Sequence, residues 1–177
     1  DWIYYMNTWF IYDLMENAGF TEMDTLFHRN DVSQSEVYAA FNAGRGFANF
    51  RGQAWTTWPG AFNINPDYLL NGWKLPIVIS ATCATGIYHS DGFICEDIVR
   101  AGSATYPRGA VAFLGSNTAY PGSGRLARLR GAGDMAFFEQ AFGENGGELG
   151  AAALAAKLAV SEFDGDTTEY KGWNLLG

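Results

Sequence analysis

The chain predicts an α/β sandwich with a mostly parallel sheet, and three observations carry that reading. The apolar run Pro76-Ile77-Val78-Ile79 has no polar alternation, as expected of a central strand covered on both faces. A second uninterrupted run, GAVAFLG over residues 109–115, has the same character. Segments of helical spacing lie between and around these runs, and strands alternating with helices produce a sheet sandwiched between helical layers.

In chain order, residues 1–20 place Ile3, Met6, Phe10, Ile11, Leu14 and Met15 at helical spacing, with Gly19 as a stop. Met23, Leu26 and Phe27 suggest a short strand over 23–27. Ser33 followed three residues later by Glu36 has the order of a capping box and opens a helix through Val37, Ala40 and Phe41 to Gly44. A short apolar strand over 47–50 runs into a loop holding Trp55, Trp58, Pro59 and Gly60. Rings in such a loop either wall a cleft or cap the core. Residues 65–72 suggest a short helix with Pro66 in its first turn. The strand 77–80 then delivers Cys83 into the loop SATCATG. Residues 92–102 read as a helix, 110–114 as a strand, and 116–131, with Arg125, Arg128 and Arg130, as a long solvated loop. Two helices follow, over 133–143 and 148–163. A last edge strand over 170–176 stops without a cap or polar tail, so the natural chain is expected to continue beyond a domain that occupies 1–177.

A length of 177 residues suits one α/β domain, or most of one. A net charge of −8 argues against nucleic acid, which needs clustered Lys and Arg. No apolar run approaches the roughly 18 residues of a membrane span. A dinucleotide site is excluded by the lack of a Gly-x-Gly-x-x-Gly directly after a strand, and the cysteines and histidines show no recognised zinc spacing. Whether Cys83 and Cys95 pair is not decided by spacing; Cys95, among Phe93, Ile98 and Val99, has the setting of a small buried thiol. Cys83 is either such a thiol or a nucleophile. Its small neighbours, and its place at the carboxyl end of a parallel strand where ligands gather, favour the nucleophile.

Five stretches in order, FANFRG with its Trp-containing loop, LLNGWKLPIVISATCATG, an E-x-x-x-R-A-G helix, PRGAVAFLGSN and GDMAFFEQAFG, resemble the gingipain-type cysteine peptidases, family C25 of the caspase-like clan. The resemblance covers nearly the whole chain. It implies a caspase-haemoglobinase-like α/β/α sandwich with a mostly parallel sheet and a His-Cys dyad at the carboxyl ends of two neighbouring strands. Cys83 falls on the nucleophile, Gln53 on the histidine, and Gly52 and Ala54 on the glycines flanking it. Gln has donors and acceptors but does not titrate, so it orients without shuttling a proton. An oxyanion hole formed by the Ala54 and Cys83 amides survives the Gly-to-Ala change if the backbone angles suit an L-residue.

His89, six residues past Cys83 and near Asp91, is a candidate substitute base or an incidental loop residue; His28 has an exposed or capping role by default. Trp55, Trp58 and Tyr120 are candidate cleft walls. The family implies a protein or peptide substrate or ligand, further domains in the same chain, a secreted or cell-surface bacterial or archaeal setting, and a structural calcium, although no carboxylate cluster in the chain marks a calcium site. Two functions stand open: a cysteine endopeptidase impaired at its histidine position, and a non-catalytic peptidase-fold binding or scaffolding domain.

Overall fold

A computed structural model describes residues 2–89, 91–118, 124–143, 146–164 and 167–177. Its sheet has four strands in the order β1-β2-β3-β4: β1 Phe47–Arg51, β2 Ile77–Ala81, β3 Ala112–Ser116 and β4 Trp173–Leu176. β1 pairs parallel with β2, opposing Arg51 to Ala81, and β2 pairs parallel with β3. β4 closes the far edge antiparallel to β3, opposing Ser116 to Trp173.

Both faces of the sheet are covered, which is why β2 carries no polar alternation. Ile79, Ala81 and Leu114 point into one apolar cluster with Leu129, Phe137, Phe138, Val160 and Trp173. This layer is built by α1 (Trp2–Asn17), α4 (Gly124–Phe142) and α5 (Leu149–Asp164). Val78 and Phe113 point the other way, to Val37, Phe41, Trp58, Ile94 and Ile98, on α2 (Gln34–Ala43), α3 (Ile94–Arg100) and the loops between them. The expected α/β/α sandwich with a mostly parallel sheet is therefore present.

The capping box is formed as read: Ser33 Oγ accepts from the Glu36 amide at 3.3 Å while Glu36 Oε2 accepts from the Ser33 amide at 2.8 Å. Several boundaries differ from expectation. Residues 23–27 form no strand. Their apolar side chains do not alternate, and the segment is tied down by Phe27 against Tyr5, 5.2 Å between ring centroids, and by Asp24 to Arg45 at 2.8 Å, with no backbone ladder. β1 is consequently left at the edge of the sheet. The 65–72 segment makes one 3-10 turn, Pro66–Tyr68, because Leu69 turns extended and buries itself completely in the core. β3 starts two residues later than read, where its ladder with β2 begins at Ala112. A five-residue helix, α6 (Thr167–Lys171), precedes β4.

The largest correction is in 116–131. Residues 124–131 are not loop but the first two turns of α4. Two glycines of this helix are packing residues: a Cβ on Gly131 would sit 2.4 Å from Asn7 Oδ1, and one on Gly133 2.9 Å from Val160 Cγ2.

The loop after β2 folds back onto β3, where the Gly86 amide donates to the Ser116 carbonyl at 2.8 Å. A Cβ on Gly86 would lie 2.2 Å from the Gly115 carbonyl oxygen, a backbone atom that cannot rotate away. Gly86→Ala is expected to lower stability by about 1–3 kcal/mol, as overpacking does, read as a drop in urea midpoint at constant slope. An unchanged midpoint would mean that the loop does not approach β3 this closely.

Candidate active site

Parallel pairing of β1 with β2 puts two loops at one end of the sheet, and the register Arg51↔Ala81 sets Gln53 and Cys83 at equivalent steps beyond their strands. Hydroxyls hold the loops together. Thr82 Oγ1 donates to the Gly52 carbonyl at 2.8 Å, linking the Gln53 loop to the Cys83 loop. Ser80 Oγ lies 2.9 Å from Thr85 Oγ1 and accepts from Trp58 Nε1 at 2.9 Å. Ala84, directly after Cys83, has φ +53°, and its amide donates to the Thr118 carbonyl at 3.0 Å. A non-glycine residue in this left-handed region carries strain of order 1–3 kcal/mol, held by the surroundings. It fixes the step at which the Cys83 side chain leaves the loop.

Against the Cys83 sulfur the fold sets a guanidinium. Arg130, on α4, is 3% exposed, and its Nη1 donates to Cys83 Sγ at 2.8 Å. The rest of its fork is engaged by Glu169 of α6: Nε to Oε1 at 2.7 Å and Nη2 to Oε2 at 3.2 Å. Nη2 also reaches Thr118 Oγ1 at 2.9 Å. Glu169 in turn accepts from Ser116 Oγ at 2.9 Å, from Trp173 Nε1 at 3.3 Å and from Thr118 Oγ1. Burial opposes the charge on Arg130, but the hydrogen bond and charge of Glu169, with the facing Cys83, outweigh it and raise its pKa above the ordinary arginine value.

Beneath the loops lies a second buried pair. Arg51 donates to the Ala81 carbonyl, to Asn7 Oδ1 at 2.9 Å and to the Ala127 carbonyl at 2.9 Å, so one side chain joins β1, β2, α1 and α4. Its Nε faces Asp134 Oδ2 at 3.7 Å, and neither of these atoms makes a hydrogen bond. Asn49 Nδ2 donates to Asp134 Oδ1 at 2.8 Å. Burial pushes the Asp134 carboxyl up to about 7, a rise that the Arg51 charge and the Asn49 hydrogen bond only partly oppose.

The model of peptidase family C25 matches residues 3–177. The chain belongs to that family. The fold of this C25 domain is similar to that of the crystal structure of the Arg-specific cysteine proteinase gingipain R (RgpB), with a TM-score of 0.77 at 20% identity, covering 97% of this chain and 41% of that one. The complex of Porphyromonas gingivalis RgpB pro- and mature domains is similar at a TM-score of 0.79 and 20% identity, with the same coverage. This chain thus spans about two fifths of those proteins' length, and the likeness supports a caspase-like fold and a cysteine peptidase-type domain. No curated protein matches it.

Within this C25 domain the site residues named from sequence separate. Gln53 is exposed at the end of β1 and hydrogen-bonds to no described residue; Thr82 holds the loop shape there. Ala54 is half-buried with an ordinary negative φ, so an L-residue fits without strain. Cys83 and Cys95 are not bridged. Burial pushes the Cys95 thiol up to about 12, and its S–H donates to the Ile87 carbonyl at 2.8 Å, tying α3 to the Cys83 loop as a structural thiol. His89 is exposed beside Phe93, at 6.4 Å between rings, with no hydrogen bond to Cys83. It lines, with Ile87, Tyr88 and Asn117, a cavity of about 330 Å³. A larger cavity of about 720 Å³ lies on the outer side of β1, and Cys83 is not among its lining residues.

Trp55 is 54% exposed, whereas Trp58 is core: it is 3% exposed and stacks on Phe50 at 5.1 Å. It cannot wall a cleft around the thiol while its indole serves the core and Ser80. Tyr120 lies outside the described residues. Among the described residues no group of three or more His, Cys, Asp or Glu is placed to hold a metal ion, and no helix is long and apolar enough to cross a membrane. Sequence reasoning offered the Arg125–Arg130 stretch as a loop walling the specificity pocket, not as a helix facing Cys83, and it missed Glu169. Leu126, Leu129 and Arg130 do fall at helical spacing, a signal masked by the glycines around them.

Asp134 makes stability pH-dependent. Its folded value of about 7 exceeds the ordinary 3.8, so the native state binds the extra proton between them. The stabilisation is then full below about pH 4 and is lost as pH rises through 7. The wild type is expected to lose melting temperature between pH 5 and 8 relative to Asp134→Asn, which lacks the titration although it is less stable overall. Parallel profiles for the two proteins would show that Asp134 keeps one charge state throughout.

Proposed function

We propose that this chain is a peptidase-fold domain that engages proteins or peptides at the Cys83 loop and is impaired in hydrolysing amides. One observation carries the reading: two residues beyond β1, the step equivalent to that of Cys83 beyond β2, stands Gln53, and neither His28 nor His89 hydrogen-bonds to the sulfur. An amide needs a proton donor for its leaving amine as well as a nucleophile. Arg130 stays protonated and Gln53 does not titrate, so neither supplies that proton. The backbone amides of Ala54 and Cys83 serve as oxyanion donors, and Trp55 offers an exposed ring to a bound chain. Gingipain R is named as an Arg-specific cysteine proteinase, which supports a polypeptide ligand; the cover of 41% of that chain supports further domains, and membership of the C25 family supports a secreted or cell-surface module.

The test is hydrolysis of a peptide library at neutral pH by the wild type, Gln53→His/Ala54→Gly and Cys83→Ala. Turnover is expected to be negligible in the wild type, to rise about 10²–10⁴-fold in the double variant, the usual contribution of a general acid/base, and to be lost in Cys83→Ala. Wild-type hydrolysis as fast as that of the double variant would overturn the impairment.

A further inference from the structure

Arg130 is a costly residue to place where it is. Its guanidinium is withdrawn from water on a helix that could have buried an aliphatic side chain, and a buried ion pair gives little net stability over such a replacement. The geometry indicates what it is held for. Glu169 takes Nε and Nη2 in a two-point grip, Thr118 takes Nη2 a second time, and Trp173 and Ser116 fix Glu169. With the plane of the fork locked, Nη1 is directed at the sulfur 2.8 Å away. A charge-assisted donor held in one direction orients the atom it meets, so the fixed guanidinium N–H holds Cys83 Sγ in one place at the loop.

We propose that Arg130 is the positioning residue of Cys83, and that the site so formed accepts acyl donors whose leaving group departs as an anion: thioesters and activated esters. This rests on the reading that the domain lacks an acid/base for amides. The thiol's proton passes to solvent, the sulfur attacks the carbonyl carbon of a thioester, and a new C–S bond forms. The donor's own C–S bond then breaks, its electron pair leaving as a thiolate that needs no proton. The acyl group stays on Cys83, because no imidazole among the described residues hydrogen-bonds at the sulfur to activate water, until an incoming thiol or amine nucleophile accepts it. No oxidation or reduction occurs. Arg130 acts through the sulfur and Glu169 acts through Arg130.

The probe is a pair of small acyl donors with the same acetyl group, the phenyl thioester and the anilide, incubated with the protein at neutral pH and followed by intact-mass spectrometry. One acetyl per chain from the thioester, absent in Cys83→Ala, and none from the anilide are expected. Arg130→Met is expected to slow acylation about tenfold or more, the size of one hydrogen bond to a charged group. Arg130→Lys should fall between the two, since an ammonium restores charge without the two-point grip. Folding of each variant is followed by circular dichroism. If Arg130→Met does not fold, Arg130→Lys decides: acylation at the wild-type rate by either folded variant overturns the role of Arg130. Efficient acylation from the anilide would instead overturn the reading that the site lacks a proton donor, so the two failures are distinguishable.

Discussion

The arrangement at the carboxyl ends of β1 and β2 depends on the buried pair between Arg130 and Glu169. Two charges taken out of water cost several kcal/mol each and are tolerated only where every donor and acceptor is matched. Here the matching groups come from widely separated parts of the chain: Ser116 and Thr118 after β3, Trp173 at the start of β4, Cys83 after β2. Because the pair cannot be left half-satisfied, it fixes how α4 and α6 sit against the strand ends. Opening the pair exposes an unpaired charge to the core, a penalty of about 3–5 kcal/mol. The polar cluster is thus a constraint on geometry more than a source of stability.

The Arg51 cluster does the complementary work one layer below. It joins the last residue of β1 to the last carbonyl of β2 and to two helices, so the two loops that carry Gln53 and Cys83 start from one rigid base. Unlike the Arg130 pair it is incompletely matched, since Arg51 Nε and Asp134 Oδ2 face each other beyond hydrogen-bond distance. That difference explains why the Asp134 carboxyl is pushed up to about 7.

The fold was largely legible because parallel strands buried on both faces read as short, β-branched apolar runs bounded by turn residues. Ile77–Ala81 was read within one residue, and the capping box of Ser33 and Glu36 placed α2. The failures share a cause. Residues 23–27 are apolar but without alternation, and the side chains pack without a ladder. In one dimension Gly131 reads as the end of a loop and Gly133 as the start of a helix, although both are small contacts inside one helix that let α1 and α5 approach α4. A glycine's role depends on what lies opposite it, and the chain in one dimension does not say.

The site divides along the same line. The sequence by itself offered Cys83 as the nucleophile candidate in a small-residue loop, because it sits within a few residues of a strand whose end is predictable, and the family resemblance set Gln53 at the histidine's position. It also fixed the net charge of −8, which argues against nucleic acid. Only the tertiary structure decided that Trp58 belongs to the core, that His89 makes no hydrogen bond to Cys83, and that Glu169 holds the Arg130 that meets the sulfur. These pairings join residues 47 and 39 positions apart. No local period encodes them, since the physical rule they obey, that a buried charge must find its partners, operates in space and not along the chain.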